Sequence, residues 1–597
     1  MKQNNYFSGE QQAISRQITY LKKRSKRYTM FRVASFLAAA LSLYILIQPY
    51  PLISAILTFL FVALLIYFAA LHHRNGEQLK HYELRSDLCA AEQEASQGNY
   101  SGFDMGEDFN HSKHAYAHDL DLFGAGSLFQ MISRAVSSAG REMLAMLLKS
   151  PYHSKDKILA VQKAISELSR NPTFLLDYLT AAKKAFPGKQ SEQNLKSWAQ
   201  QSDPAFLSPG KKILLIAVPV VTAFITVLMA LGEITFLMFL LYLFLVPIGI
   251  SGYYYKRINT LHSQLGRQSA RLKGLTVMLR MTEEKEWHSE ELHQLVVRPE
   301  GDHPSAWQQI NMLNAIMERF DYRLNFIAGF LLNAFLLWDL RLVHHLELWK
   351  QKSGGYVEQW LQRLHRMEVL ISQALFSYHH HDFIFPEVTG EVLIDGDQVA
   401  HPFISSKSRV GNKVAFSSWK TFKIITGGNM AGKSTYLRTV GINLVLAMSG
   451  NVVCAQKFRF SPVTLITSIR TDDSLQENES FFYAELKKLQ DIILRLERGE
   501  KLFLLLDEIL KGTNSRDKLH GSRALLQQLL TYYASGAVAT HDIALGDLEK
   551  DFPENITNHC FEIAIRDNAL QFDYKLRRGK AENMNAVFLM KQMGITV

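Results

Sequence analysis

Charge-free apolar runs alternate with long stretches of helical periodicity over the first two thirds of the chain, and the last third changes to short apolar blocks punctuated by glycine. Val33 to Gln48 and Leu52 to Leu71 carry no charged residue and are parted by Pro49-Tyr50-Pro51; Ile213 to Leu231 and Ile234 to Tyr255 repeat the arrangement around Gly232-Glu233. Each run approaches the ~20 residues a helix needs to cross a bilayer, so the pattern predicts two membrane hairpins, four spans in all. Lys22, Lys23, Arg24, Lys26, Arg27 and Arg32 precede the first pair and Arg74 follows it, while Lys211, Lys212, Lys256 and Arg257 flank the second; neither tip has a Lys or Arg. The positive-inside rule then has both hairpins enter and leave from the cytoplasmic side. The expectation is a multi-pass protein of the cell (inner) membrane with the bulk of its chain in the cytoplasm. Run length argues against the alternative, apolar hairpins buried inside a soluble core.

The intervening segments read as helices. Asn75 to Tyr100 is polar and helix-permissive, the stretch to about Asp121 is loop-like, and a helix is expected from an N-cap at Ser127 to the stop at Pro151. Amphipathic patterns follow at Lys155 to Arg170 and from about Arg257 to Tyr378. Leu331 to Lys350 is apolar but interrupted by Asn333, Asp339, Arg341, His344 and His345, which predicts a buried connector helix, since charges at the centre of a span are costly. Consecutive residues on a helix point in different directions, so Tyr378-His379-His380-His381-Asp382 reads as a helix end with solvated histidines and not as a metal site.

Composition adds limits to this picture. A chain of 597 residues exceeds one ordinary core, and 47% hydrophobic residues beside 20% charged ones fits segregated apolar segments. The formal charge of +10 suits a polyanionic partner, yet juxtamembrane Lys and Arg produce the same number, so charge does not separate nucleic acid from lipid. Cys89, Cys454 and Cys560 lie far apart without a CxxC pair, so neither a disulfide framework nor a zinc site is indicated.

The chemistry is concentrated in the last third. Lys423-Ile424-Ile425-Thr426 is a short apolar strand feeding Gly427-Gly428-Asn429-Met430-Ala431-Gly432-Lys433-Ser434-Thr435, a GxxxxGK[ST] loop followed by a helical pattern. Glycines at this spacing let backbone N–H groups curl around phosphates, and the helix N-terminus adds partial positive charge. Lys433 is then expected to reach the β- and γ-phosphates of ATP, and Ser434 to ligate Mg²⁺. Leu502 to Leu506 is a strand buried on both faces that ends in Asp507-Glu508, with Asp507 assigned to the Mg²⁺ shell and Glu508 to the general base. A third strand, Gly536 to Ala539, delivers Thr540-His541-Asp542 to the same sheet edge, where His541 can sense the γ-phosphate.

The stretch Ile425 to Arg438 resembles the P-loop of the MutS family, in which Asn-Met precedes the final small-Gly-Lys-Ser-Thr. Asp507-Glu508-Ile509-Leu510-Lys511-Gly512-Thr513-Asn514-Ser515 is similar to the family's Asp-Glu-Ile-Gly-Arg-Gly-Thr-Ser-Thr, Ala539-Thr540-His541 matches its Ala-Thr-His, and His401-Pro402 and Asn412 fit upstream. Asp472-Asp473 and Glu479-Ser480-Phe481-Phe482 fall where the family has paired aspartates and a signature serine. The resemblance implies that Ser480 contacts the γ-phosphate held by an opposite subunit, hence composite sites, a homodimer through the ATPase domain, and DNA as a possible partner.

Departures from the family are equally legible. Two apolar runs occupy the end where a mismatch-reading module would stand, and the second hairpin lies where a DNA clamp is expected. Leu510-Lys511 replace Gly-Arg, Phe481 replaces a threonine, and Arg409 stands where an aromatic often stacks on adenine, a place a guanidinium can also fill. The expected class is α plus α/β. It comprises a basic tail (1–32), membrane hairpins (33–71 and 213–255), a helical lever in two parts (72–212 and 256–384) and a P-loop, ABC-like ATPase domain (385–597). An ABC-like ATPase acting on a membrane process without DNA is the alternative function.

Overall fold

The computed structural model describes residues 6–46, 50–110, 114–186, 191–265, 269–296, 305–428, 430–470, 481–510, 514–566 and 569–581. The chain begins with two long antiparallel helices, Tyr6–Leu46 and Pro51–Ser96, the second opened by Pro51 in its first turn. Their apolar parts leave large side chains exposed, Phe59 at 77% and Ile66 at 64% among them. Small polar residues close the seam: Ser42 Oγ meets Thr58 Oγ1 at 2.8 Å and Ser54 Oγ donates to the Ser42 carbonyl at 3.0 Å. The second hairpin comprises Pro209–Ala230 and Phe236–Leu261, the latter carrying a π-helical turn, Phe244–Ile248, around Pro247. Thr222 and Tyr242 share a hydrogen bond across it. Three described helices are long and apolar enough to cross a membrane: Pro51–Ser96, Pro209–Ala230 and Phe236–Leu261. The fourth expected span corresponds to the end of Tyr6–Leu46, whose apolar run continues into residues outside those described.

Between the hairpins and beyond them lies a helical body whose core includes Tyr178, Leu272, Leu313, Leu346 and Ile371. Its buried charges are paired. Glu347 and Lys350 meet at 3.0 Å, and Glu92 accepts from Arg134 at 2.7 Å and lies 2.8 Å from His379. Burial by itself would push the Glu92 carboxyl up; Arg134 and His379 outweigh it and bring it down to about 2. Three sequence expectations need correction here. His379 is not solvated but almost wholly buried against Glu92. The helix expected from Ser127 to Pro151 is two helices, Leu128–Ile132 and Ser138–Lys149, because Arg134 is drawn between them to Glu92 while its N–H donates to Ser372 Oγ. The single connector expected from Leu331 to Lys350 is broken at Leu337, whose φ of 49° is left-handed, into Phe326–Leu336 and Trp338–Ser353.

The C-terminal region is built on strands β1 (Glu387–Val388), β2 (Ile394–Val399), β3 (Asn412–Phe416), β4 (Phe422–Gly427), β5 (Lys457–Phe460), β6 (Thr464–Ser468), β7 (Leu502–Asp507), β8 (Ala534–Thr540), β9 (Ile556–Arg566) and β10 (Ala569–Arg578). The larger sheet has the order β10-β9-β4-β8-β7-β6, with only the β9–β10 pair antiparallel. Alternation along its strands divides the apolar residues between two layers. Ile425, Phe503, Leu505, Ala537 and Ala539 join the core under helix Lys433–Met448. Ile424, Leu504, Leu506 and Val538 join the one under helices Phe481–Glu497 and Ser515–Thr531. Coverage on both faces is why these strands read as unbroken apolar runs.

The loop-like stretch before Asp121 packs into this region. Tyr116, Leu120 and Leu122 share the core of the P-loop helix, and Asp119 accepts from the N–H groups of Ile469 and Arg470 at 3.1 and 3.0 Å. Part of the segment expected to belong to the lever therefore completes the core of the C-terminal region.

Candidate functional site

Three neighbouring parallel strands, β4, β8 and β7, end at the same edge of the sheet, and each delivers one part of the site. The glycine after β4 is demanded by geometry: Gly427 has φ 151°, and a Cβ there would stand 2.7 Å from the Phe561 carbonyl oxygen. The chain then turns through Met430 (φ 65°) and Gly432 (φ 109°) into helix Lys433–Met448. Gly428 and the residues from Met430 to Thr435 line a cavity of about 550 Å³ together with Asp507, Glu508 and His541. The structure thus brings together the expected residues from Gly427 to Thr435, Asn429 apart, with the acidic pair and the histidine. Asn429, Lys511, Gly512, Thr513, Asp472, Asp473, Glu479 and Ser480 lie outside the described residues.

The polar groups of the cavity are mutually oriented. Lys433 Nζ donates to the carbonyls of Gly427 and Gly428 at 2.8 and 3.0 Å and lies 3.4 Å from His541 Nδ1. Burial lowers its ammonium below the ordinary lysine range, against the opposing pull of Asp507 and Glu508. Ser434 Oγ donates to Asp507 Oδ2 at 2.5 Å, so a hydroxyl and a carboxylate converge at one point; hard oxygen donors of this kind suit Mg²⁺. Glu508 stands just past the end of β7 with φ 52°, held by its N–H on the Ala539 carbonyl at 2.8 Å. A non-glycine residue in this region costs about 1 kcal/mol or more. The strained backbone turns its carboxylate to His541 Nε2 at 2.6 Å and Lys518 Nζ at 3.8 Å.

The far end of the cavity corrects one expectation and adds one residue. Arg409 does not face it. The guanidinium is ion-paired with Asp382 and sits 5.2 Å from the centre of the Phe383 ring, leaving Ile404 and Val410 to line the wall. Tyr574, at a bulge in β10 with φ 53°, lines the same cavity. Asn412 fixes that bulge at both ends: its Nδ2 donates to the Tyr574 carbonyl at 2.9 Å and its Oδ1 accepts from the Leu576 N–H at 2.8 Å. The sequence reading missed Tyr574. Nothing local marks a tyrosine in an alternating strand, and only the pairing with Asn412, 162 positions earlier in the chain, aims it at the P-loop.

Comparison with known proteins bears on this region of the chain. Residues 423–595 match the sequence model of MutS domain V. This region is similar to domain V of the MutS family. MutS protein homolog 4 of Homo sapiens is 32% identical over 215 residues, 34% of this chain and 22% of that protein. The DNA mismatch repair protein MutS of Thermotoga petrophila is 31% identical over 242 residues, 39% of this chain and 29% of its own length. That of Phocaeicola vulgatus is 30% identical over 224 residues, 36% of the chain and 25% of the relative. The chain thus spans under a third of each of these relatives. The hairpins and the helical body lie outside the residues matched by the MutS domain V model.

Proposed function

We propose that this chain is a membrane-anchored ATPase of the MutS type, which binds and hydrolyses ATP at composite sites formed between two copies and couples closure of the pair to movement of its helical arms. The observation that carries the reading is the convergence in one cavity of the Lys433 ammonium, the Ser434–Asp507 pair and the Glu508–His541 pair. Backbone N–H groups of the Gly427–Thr435 loop and the start of helix Lys433–Met448 would cradle the phosphates. Lys433 would leave the loop carbonyls for the β- and γ-oxygens. Ser434 and Asp507 would hold Mg²⁺, which when bound neutralises charge on the transferring phosphate. Glu508 would orient the attacking water and accept its proton, with His541 fixing the carboxylate and reading the γ-phosphate. Ser480 of a second copy would complete the site.

For the base, Tyr574, Ile404 and Val410 would supply the apolar part of the cavity lining. Stacking of a base on an aromatic ring is worth about 1–3 kcal/mol, so Tyr574→Ala is expected to weaken ATP affinity roughly tenfold while leaving turnover at saturation little changed. Equal nucleotide affinities by fluorescence titration would remove Tyr574 from base binding.

DNA enters as a partner because two of the relatives are DNA mismatch repair proteins by name; the membrane enters from the apolar hairpins of this chain. A second reading, an ABC-like ATPase serving a membrane process without DNA, is favoured by the three apolar helices. One experiment separates the two: ATPase rate of the detergent-purified protein with and without duplex, mismatched and branched DNA across a salt series. A DNA-stimulated rate that falls with salt is expected for the first reading. Indifference to every DNA selects the second, and absence of any ATPase activity overturns both.

A further inference from the structure

The apolar helix Phe326–Leu336 fits none of the roles described so far. It holds no charge, and the nearest flanking charges, Arg323 and Asp339, meet each other at 3.2 Å at its base with both side chains about nine-tenths buried. From that base the helix leans on the second hairpin. Phe330 packs on Phe244 with ring centres 5.6 Å apart, Phe335 on Phe239 at 6.4 Å, and Ala334 shares a small separate core with Phe239 and Leu243. Its other face is bare among the described residues: Phe326 is 85% exposed, Ile327 69% and Leu331 49%. The hairpin it packs on is also bare, with Phe224 and Leu237 exposed at 62% and 67%.

The internal bonding suits a medium without water. Asn325 caps the first turn by accepting from the Ala328 N–H at 3.1 Å. Asn333, the one polar side chain inside the helix, donates to the Gly329 carbonyl at 2.9 Å and accepts from the Asp339 N–H at 3.0 Å. At 11 residues the helix is ~16 Å long, about half of the ~30 Å hydrocarbon core, so it cannot cross. It does not continue straight either: the chain turns by 77° at Leu337 and re-enters the helical body as Trp338–His379. Arg341 then ties the return to the hairpin by donating to the Leu215 carbonyl at 2.9 Å.

We propose that Phe326–Leu336 is a re-entrant half-helix, inserted into the hydrocarbon of the bilayer beside the second hairpin, with lipid acyl chains as the occupant of its exposed face. The inference rests on the membrane placement of that hairpin. Irregular backbone at membrane depth is tolerated where protein covers it, and Leu337 is fully buried. The consequence is mechanical. The element that follows the turn runs to His379, beside the nucleotide domain, so movement of the lever is also movement of a segment held in lipid.

The test is site-directed spin labelling of the full chain in phospholipid nanodiscs, with cysteine placed singly at Phe326, Ile327 or Leu331, at Phe224 and Leu237 as span references, and at Met312 as an aqueous reference. The native cysteines are all buried. Labels on the half-helix are expected to be relaxed by oxygen and shielded from a water-soluble nickel chelate, as at Phe224 and Leu237 and opposite to Met312. Nickel access at all three positions with shielded span references overturns the re-entrant helix and leaves the membrane reading standing. Shielding from both agents marks a protein contact and also overturns it. Nickel access at the span references sinks the membrane reading and this inference with it.

Discussion

Replacing Glu508 with glutamine is expected to lower steady-state ATP turnover by about 10²-fold or more, with ATP affinity retained. The substitution keeps the shape of the side chain and can keep a hydrogen bond to His541, 2.6 Å away, but an amide cannot take a proton from water. The backbone at Glu508 is left-handed and pinned to the Ala539 carbonyl, which fixes the point from which the side chain reaches into the cavity. Asp507, the adjacent acid, is engaged with Ser434. If the composite-site reading holds, the variant should also accumulate as an ATP-bound dimer, visible by size-exclusion chromatography with light scattering. Turnover equal to that of the unsubstituted protein would remove Glu508 from the chemistry.

How much of this site could be read in the sequence follows from how local each part is. The P-loop is a strand, a glycine turn and a helix start within a dozen residues, and the acid pair closes a strand whose burial on both faces is written in Leu502 to Leu506. What joins them is the parallel order β4-β8-β7; the sequence led to the expectation of one shared sheet edge, and the order itself is set by pairing between strands distant in the chain. Tyr574, the Asp119 loop and the break at Leu337 were not legible, because each depends on a partner distant in sequence. Leu337 is an instructive case. A leucine in the left-handed region is disfavoured, so nothing in the residue announces a turn. The turn exists because Phe326–Leu336 packs on the second hairpin while Leu340, Leu342 and Leu346 pack in the helical body.

The Asp119–Asp121 loop gives the nucleotide site a physical link to the rest of the chain. Asp121 pairs with Arg438 on the P-loop helix at 3.1 Å and with Arg470 at 2.6 Å, just ahead of the segment that holds Ser480. Asp119 is itself held by Thr467 at 2.6 Å and by Lys488 at 3.5 Å. Burial alone would raise its carboxyl; Lys488, Thr467 and the two N–H groups reverse that and keep it below the usual carboxylate range. One short loop from the helical half therefore touches both helix Lys433–Met448 and the end of β6. Displacement of either during ATP binding would be felt in the helical body directly.

Lys433→Ala is expected to weaken ATP binding at least about 100-fold, or ~2.8 kcal/mol, since charge-assisted hydrogen bonds to phosphate are worth roughly 1.5–3 kcal/mol each. A compact ammonium is required: Nζ fits between the Gly427 and Gly428 carbonyls at 2.8 and 3.0 Å, a space that the planar fork of arginine does not match, so Lys433→Arg should fail as well. The alanine variant also removes a donor from two loop carbonyls, which predicts a small loss of intrinsic stability, about 1 kcal/mol. Thermal unfolding separates the two effects. ATP at 100 times the dissociation constant of the unsubstituted protein should stabilise that protein by about 2.7 kcal/mol, and the same concentration should give the variant about 0.4 kcal/mol. A variant that melts near the parent without nucleotide, yet no longer responds to ATP, has lost the phosphate contact and kept the fold. An undiminished response would mean that the loop backbone holds the phosphates unaided, and Lys433 would then lose its assigned part in the site.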